Sequence, residues 1–296
     1  MSVPVVAVRR NRALALRRSL YRGSIWGLLL AYLAFVLVPY LWLLLTSVRP
    51  ESQAVTIPVQ LLPRRFTLAN YADVLGNKGF QVGLPIMAAL RNTVIVAFGA
   101  TGLALVVGLP AAYSFSRYRF PFGRLLLLLI LITRMFPIIA LDIPLFELII
   151  EVHLYNTWLG LILAYSALTL PFTIWLMYAF FGQIPPELEE AARVDGCGFF
   201  QMFRRVILPV SIPGVVATFL LSLIYPWNDL LISSTLASSP RAETLAATLA
   251  GYNTGLQILW APLSASAVVA TIPIVVVTLL LQRYIVRGLT LGAVKG

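Results

Sequence analysis

Reactive side chains are scarce in this sequence: Cys197 is its one cysteine and His153 its one histidine. An intrachain disulfide is thereby excluded, and neither a His-rich metal constellation nor a Cys–His nucleophilic pair can be assembled. Cys197 reads as an inert loop thiol and His153 as a solvated loop residue. Lysine is nearly absent as well. Lys78 follows Asn77 and Lys295 follows Val294, so no lysine has the preceding glycine that a phosphate-cradling loop requires. No catalytic residue and no cofactor site can be assigned to the chain, and any nucleotide hydrolysis must sit on another polypeptide. Charge is sparse overall, at 11% of 296 residues, where a soluble protein carries about 25%.

What fills the sequence instead is apolar: 60% of it is hydrophobic. One water-soluble core cannot hide that much apolar surface, so the remainder must face membrane lipid. A bilayer core of about 30 Å needs roughly 20 helical residues, and six runs qualify: Ile25–Val48, Thr93–Phe115, Leu125–Ile150, Trp158–Phe181, Leu208–Ile232 and Ala265–Val286. The fold class is all-α, a polytopic membrane protein with six transmembrane helices. The first run is too long for the apolar core of a cleaved signal peptide, and Val48-Arg49-Pro50 is a poor exit. It reads as an uncleaved span. The chain thus divides into a basic leader (1–24), a membrane domain (25–286) containing a loop at 182–207, and a tail (287–296).

The net charge of +11 is distributed as topology signals rather than as a nucleic-acid-reading element. Arg9, Arg10, Arg12, Arg17, Arg18 and Arg22 crowd the leader, and Arg117, Arg119 and Arg124 follow the second span, without an acid in either place. The loop after the third span has Glu147 and Glu151 and no base. Both termini and the 182–207 loop are therefore expected in the cytoplasm. Pro137 and Pro144 are expected to break the third span, Pro171 the fourth, Pro213 and Pro226 the fifth, and Pro273 the sixth. Two readings of these prolines stand open: ordinary kinks, or freed carbonyls lining a watery cavity.

The 182–207 loop contains its own helix punctuation. Pro185 and Pro186 suit a helix start, Glu187, Glu189 and Glu190 favour the positive end of its dipole, and Gly196 is a natural stop. A second short helix is expected from Phe199, with Phe200, Met202, Phe203 and Val206 forming one apolar stripe and Pro209 marking the turn into the fifth span. Leu188, Ala191 and Ala192 offer small or apolar faces to a partner. Interfacial helices lying on lipid favour Lys and Arg on their polar face, whereas acids outnumber bases before Gly196.

Glu190-Ala191-Ala192, Gly196 and Val206-Ile207-Leu208-Pro209, at their spacing of three and then nine residues, resemble the "EAA" signature of binding-protein-dependent ABC importer permeases. Valine stands where that pattern has isoleucine. The likeness covers about Ile25 to Gly296 and is nearest to the carbohydrate branch, the smaller permease of the maltose-type pair. Phe66-Thr67-Leu68-Ala69-Asn70-Tyr71, Ala112-Tyr113-Ser114 with Arg119-Phe120-Pro121, Tyr225-Pro226-Trp227-Asn228-Asp229, and the stretch from Gln282 to Gly296 carry it. Arg134 departs from the pattern, which leads one to expect an uncharged polar residue such as glutamine.

The resemblance implies a type I ABC importer permease whose loop is a coupling helix docked in a cleft of a cytoplasmic ATPase. Glu187, Glu190, Ala191, Ala192, Asp195, Gly196, Phe199, Leu208 and Pro209 are then the coupling residues. Arg287, Gly292 and Lys295 would contact the ATPase from the tail. The implied partners are a homologous second permease, two ATPase subunits holding ATP and Mg, and an extracellular or periplasmic sugar-binding protein.

Ionisable groups at membrane depth usually face a cavity or a partner, which singles out Arg134, Asp142 and Asp229. With Tyr225, Trp227 and Asn228, Asp229 makes an aromatic-and-polar set suited to a sugar ring, or equally an interhelical hydrogen-bond knot. Arg134 and Asp142 are about two turns apart, too far for a simple helical pair, and each is expected to find its partner on another helix. The outer tip Gly251-Tyr252-Asn253-Thr254-Gly255 resembles the region of maltose-type relatives that reaches toward the binding protein; an ordinary surface turn fits as well. The rival functional readings are a self-sufficient ion-coupled transporter or channel, which would need an ion site among Asp142, Asp229 and Arg134, and an intramembrane enzyme, for which no catalytic set can be assembled.

Overall fold

The computed structural model describes residues 5–58, 60–76, 84–253 and 257–293. These form helices in the order α1 (Val5–Ser47), α2 (Glu51–Ala54), α3 (Ala69–Leu75), α4 (Ile86–Arg117), α5 (Gly123–Ile132), α6 (Ile138–Glu151) and α7 (Trp158–Phe181). The second half continues with α8 (Glu187–Val194), α9 (Phe199–Met202), α10 (Leu208–Val210), α11 (Ile212–Asn228), α12 (Leu231–Leu236), α13 (Leu245–Ala250) and α14 (Trp260–Ala293). A 3₁₀ turn, Thr133–Met135, follows α5, and a π turn, Phe203–Ile207, joins α9 to α10.

Four helices are long and apolar enough to cross a bilayer unaided, and two bent pairs bring the spans to six. Leader and first span turn out to be one helix, and the sixth span runs past Val286 to Ala293 without a break.

α4 and α7 make the most extensive helix pairing. The reason lies in a stripe of small residues on α4: Ala89, Ala97, Ala100, Ala104, Gly108 and Ala112 are all buried. Lipid supplies no hydrophobic drive between helices, so close backbone approach and dispersion must do the work. A Cβ added at Gly99 would lie 2.7 Å from Ile162 Cδ1, and one at Gly108 would lie 2.8 Å from Thr173 Cγ2. α11 packs across both helices and against α14, while α1 leans on α14.

Of the six expected proline breaks, two sites bend sharply. The third span turns by 98° between Met135 and Ile138. Phe136, pushed out of the helical region by the following Pro137, is extended at ψ 134°. The fifth turns by 76° between Val210 and Ile212, so Ser211, rather than Pro209, marks the turn, and Pro213 sits in the first turn beyond it. Pro144, Pro171 and Pro273 lie inside continuous helices, and Pro226 lies near the end of α11. A proline whose neighbours pack in a bundle bends its helix without ending it.

Outside the spans, buried polar ties pin the chain. Arg49, 1% exposed, stacks over Trp42 and donates to the Leu45 and Gln60 carbonyls. Asn70 binds the Ser47 and Arg49 carbonyls at 2.8 and 2.9 Å, and Asn92 reaches the Pro240 and Glu243 carbonyls while accepting from Trp158 Nε1.

Candidate functional site

The loop after α7 folds as its punctuation requires. Pro186 precedes α8, whose first turn holds Glu187, Glu189 and Glu190. At the other end Gly196 takes φ +78°, the left-handed conformation that glycine adopts without a Cβ penalty. Cys197 N–H donates to the Ala192 carbonyl at 2.9 Å and Gly196 N–H to the Arg193 carbonyl at 3.0 Å. This is the paired closure of a Schellman motif. Phe203 and Phe181 stack against Tyr113 with ring centroids 5.1 and 5.5 Å away, so the loop is seated on the C-terminal ends of α4 and α7.

Two faces of α8 have different fates. Glu187, Leu188, Glu190, Ala191, Val194 and Asp195 are exposed, Val194 at 89%. Glu189 and Ala192, three residues apart and hence on one face, are buried. Ala192 therefore does not present a contact face to a partner: its methyl packs in this chain's own cluster with Met177, Met202 and Ile207. The expected apolar stripe also divides. Met202 is buried, Phe203 and Val206 are half-buried, and Phe199 and Phe200 are exposed. Leu208 is half-buried and Pro209 exposed.

Sequence reasoning passed over the pair that secures α8. Arg117, at the end of α4, donates from Nε to Glu189 Oε1 and from a terminal nitrogen to the Ile184 carbonyl at 2.7 Å. Both side chains are largely withdrawn from solvent, and Arg193 adds a peripheral contact at 4.0 Å. The signal was present: Glu189 shares its helix face with Ala192, and Arg117 closes the second span.

The break in the third span opens a cavity of about 590 Å³ between α5, α6, α7 and α11, lined by Thr133, Arg134, Phe136, Leu168, Pro171 and Tyr225 among others. Arg134 donates to the Leu168 carbonyl at 3.0 Å, and its guanidinium lies 5.8 Å from the Tyr225 ring and 5.9 Å from Phe172. Its partners are on other helices, as expected.

The two aspartates serve the hydrogen-bond reading. Asp229 Oδ2 accepts from Tyr165 OH at 2.9 Å and from Ile232 N–H at 2.8 Å, capping α12. Asp142 Oδ2 accepts from Thr235 at 2.8 Å. The presumed sugar set is dispersed. Trp227 is buried beside Ala97 and Leu223, away from the cavity, and Asn228 is exposed and bonds back to the Ile224 carbonyl. Tyr225 alone of that set lines the cavity. Residues two apart on a helix diverge by about 200°, which turns Trp227 away from the face of Tyr225, and α11 ends at Asn228.

In the loop between α13 and α14, Tyr252 is fully buried, its hydroxyl 2.9 Å from Ser266 Oγ. It is a core residue of the loop and not an exposed contact for a binding protein. Asn253 is exposed, and Thr254 lies outside the described residues. In the tail, Arg287 and Gly292 fall on the α14 backbone, and Lys295 lies outside the described residues.

Six spans with a helix–glycine–helix element seated on one end, and a cavity at a broken span, define a membrane permease. Residues 104–291 match the family described as binding-protein-dependent transport system inner membrane component. The chain belongs to that family. It is 38% identical over 279 residues to the trehalose transport system permease protein SugB of Mycobacterium tuberculosis, covering 93% of this chain and 98% of that one. It is 32% identical to the sulfoquinovosyl glycerol transport system permease protein SmoH of Agrobacterium fabrum, covering 88% and 89% of the two chains. With the trehalose/maltose transport system permease protein MalG of Thermococcus litoralis, identity is 35% over 88% of this chain and 92% of the other.

Among solved structures, a chain of a bacterial ABC transporter that imports alginate superposes with a TM-score of 0.72 at 22% identity, covering 94% and 98% of the two chains. A chain of the MetNI methionine ABC transporter gives 0.58 at 19%, covering 69% and 95%. The fold is that of a type I ABC importer permease, and the chain is a multi-pass inner-membrane subunit.

Proposed function

We propose that this chain is one permease half of an ABC importer that carries a sugar or oligosaccharide into the cell. It pairs with a homologous second permease and with two ATPase subunits, which hold ATP and Mg; an extracellular or periplasmic sugar-binding protein delivers the solute. The observation that carries this reading is α8: a short acidic helix, exposed along Glu187, Glu190, Ala191 and Val194, yet anchored beneath the spans. Such a helix transmits force when a neighbour grips its free face. Arginine placement supports cytoplasmic termini and a cytoplasmic α8. The sugar class rests on the relatives named for trehalose, maltose and sulfoquinovosyl glycerol.

The cavity at Arg134 and Tyr225 is this chain's share of the solute path, with Asp142 and Asp229 holding its walls through Thr235 and Tyr165. Arg287, Gly292 and Lys295 extend toward the ATPase pair, and Asn253 and Thr254 toward the binding protein.

The test is uptake into proteoliposomes containing the chain with its genomically adjacent permease, ATPase and binding protein. Labelled trehalose, maltose and sulfoquinovosyl glycerol are the probes. Accumulation of one of them should require both ATP and the binding protein. ATP-independent uptake by this chain alone, driven by an ion gradient, would overturn the reading.

A further inference from the structure

We propose that Arg117 and Glu189 form a force-transmitting latch, the positioning pair through which movement of α8 is passed to α4. The inference rests on the importer reading and names which residues carry its mechanical step. Among the described residues, this ion pair ties α8 directly to the last turn of α4, with Tyr113, also on α4, beside Glu189.

Three features separate it from a surface salt bridge. First, its side chains are 14% and 6% exposed, so solvent does not compete for the charges. Second, Arg117 is two-handed: it holds Glu189 and also the Ile184 carbonyl, fixing the loop on both sides of Pro185 and Pro186. A rigid guanidinium fork suits that double grip, where a lysine ammonium offers a single point. Third, Arg117 belongs to the last turn of α4, the helix most extensively packed on α7. A displacement of α8 is thus delivered to the centre of the bundle rather than to a loop.

The rest of the seat is largely apolar. Ala192, Ile184 and Met202 lie against Tyr113, Met177 and Phe181. Apolar contact resists separation but is non-directional, so it lets the helix slide or roll. The charged pair fixes its register. Glu190, next in sequence, points outward. Adjacent glutamates therefore divide the labour, Glu189 gripping the bundle and Glu190 the partner.

The experiment uses the complete complex in proteoliposomes and reads three quantities: subunit co-purification, ATP hydrolysis stimulated by the binding protein, and solute moved per ATP. Glu189→Gln and Arg117→Lys should keep all subunits together while solute moved per ATP falls about tenfold. The double exchange of Arg117→Glu with Glu189→Arg should recover a substantial part of that loss. Arg119→Gln, an exposed neighbour, serves as control and should behave as wild type.

Wild-type coupling in Glu189→Gln and Arg117→Lys would overturn the latch while leaving the importer reading intact. So would loss of co-purification in the single variants that the exchange does not restore, because the pair would then serve folding alone. If the unaltered complex showed neither stimulation nor uptake, the importer reading itself would fall, and the latch with it.

Discussion

Glu243 sits half-buried in the loop between α12 and α13, its backbone carbonyl held by Asn92 at 3.0 Å. Burial raises its carboxyl above the ordinary 4.5. Because the folded state then binds the proton more tightly than the unfolded one, stability is greatest below about 4.5 and falls as pH rises toward the raised value. Glu243→Gln should remove that slope, raising the thermal midpoint at neutral pH with no gain in acid. Paired melting curves of the detergent-purified proteins would show it. A second expectation concerns Gly196, where an added Cβ meets open space. The penalty of a substitution is therefore conformational, about 1–2 kcal/mol for a left-handed residue with a side chain. Gly196→Val should loosen the Schellman closure that includes Cys197 N–H and so speed maleimide labelling of this lone, half-buried thiol severalfold. Gly196 was legible in the sequence because a left-handed stop is a local demand. Ala192 and Tyr252 were not, since composition tells that a small or aromatic residue is present but not which way its helix or loop is rolled.

Among the elements, α7 side chains press against α4 at Gly99 and Gly108. Gly99→Leu should cost about 1–3 kcal/mol by overpacking, because its Cβ alone would already clash with Ile162. Gly102→Leu, three residues on, meets no atom within 4 Å and should be tolerated. Equal melting temperatures for the two variants would contradict the packing described. The spans themselves were readable from length and hydropathy, since a bilayer imposes the same demand on each. Their interruptions were not. Pro137 and Pro171 look alike in sequence, yet one stands at a 98° bend and the other within a continuous helix. The difference arises from neighbours: α7 is gripped along its length by α4, whereas α5 exposes most of its surface within this chain. The latch was hidden for a similar reason, since Arg117 and Glu189 lie 72 positions apart and only tertiary packing brings them together.

For the whole molecule, the exposed face of α8 should govern assembly with the ATPase. Glu190→Lys reverses a charge on that face while touching no internal contact among the described residues. It should leave membrane insertion and melting temperature unchanged and reduce ATPase recovery in pull-downs at least several-fold. Normal recovery would count against docking through this face. The organisation of the bundle has one further consequence, for how it is made. The long helix α1 is the most hydrophobic of the unbroken spans, with mean hydropathy 2.4, and none of its apolar stretch is buried in this chain. Its neighbour is α14, and the carboxylate of Glu51, just beyond it, caps Trp260 N–H at a separation of 209 positions. During synthesis α1 must therefore dwell in lipid without its neighbour until α14 has been made. Its hydropathy lets it wait, and the clasp at Glu51 closes the circle only once the start of α14 has left the ribosome.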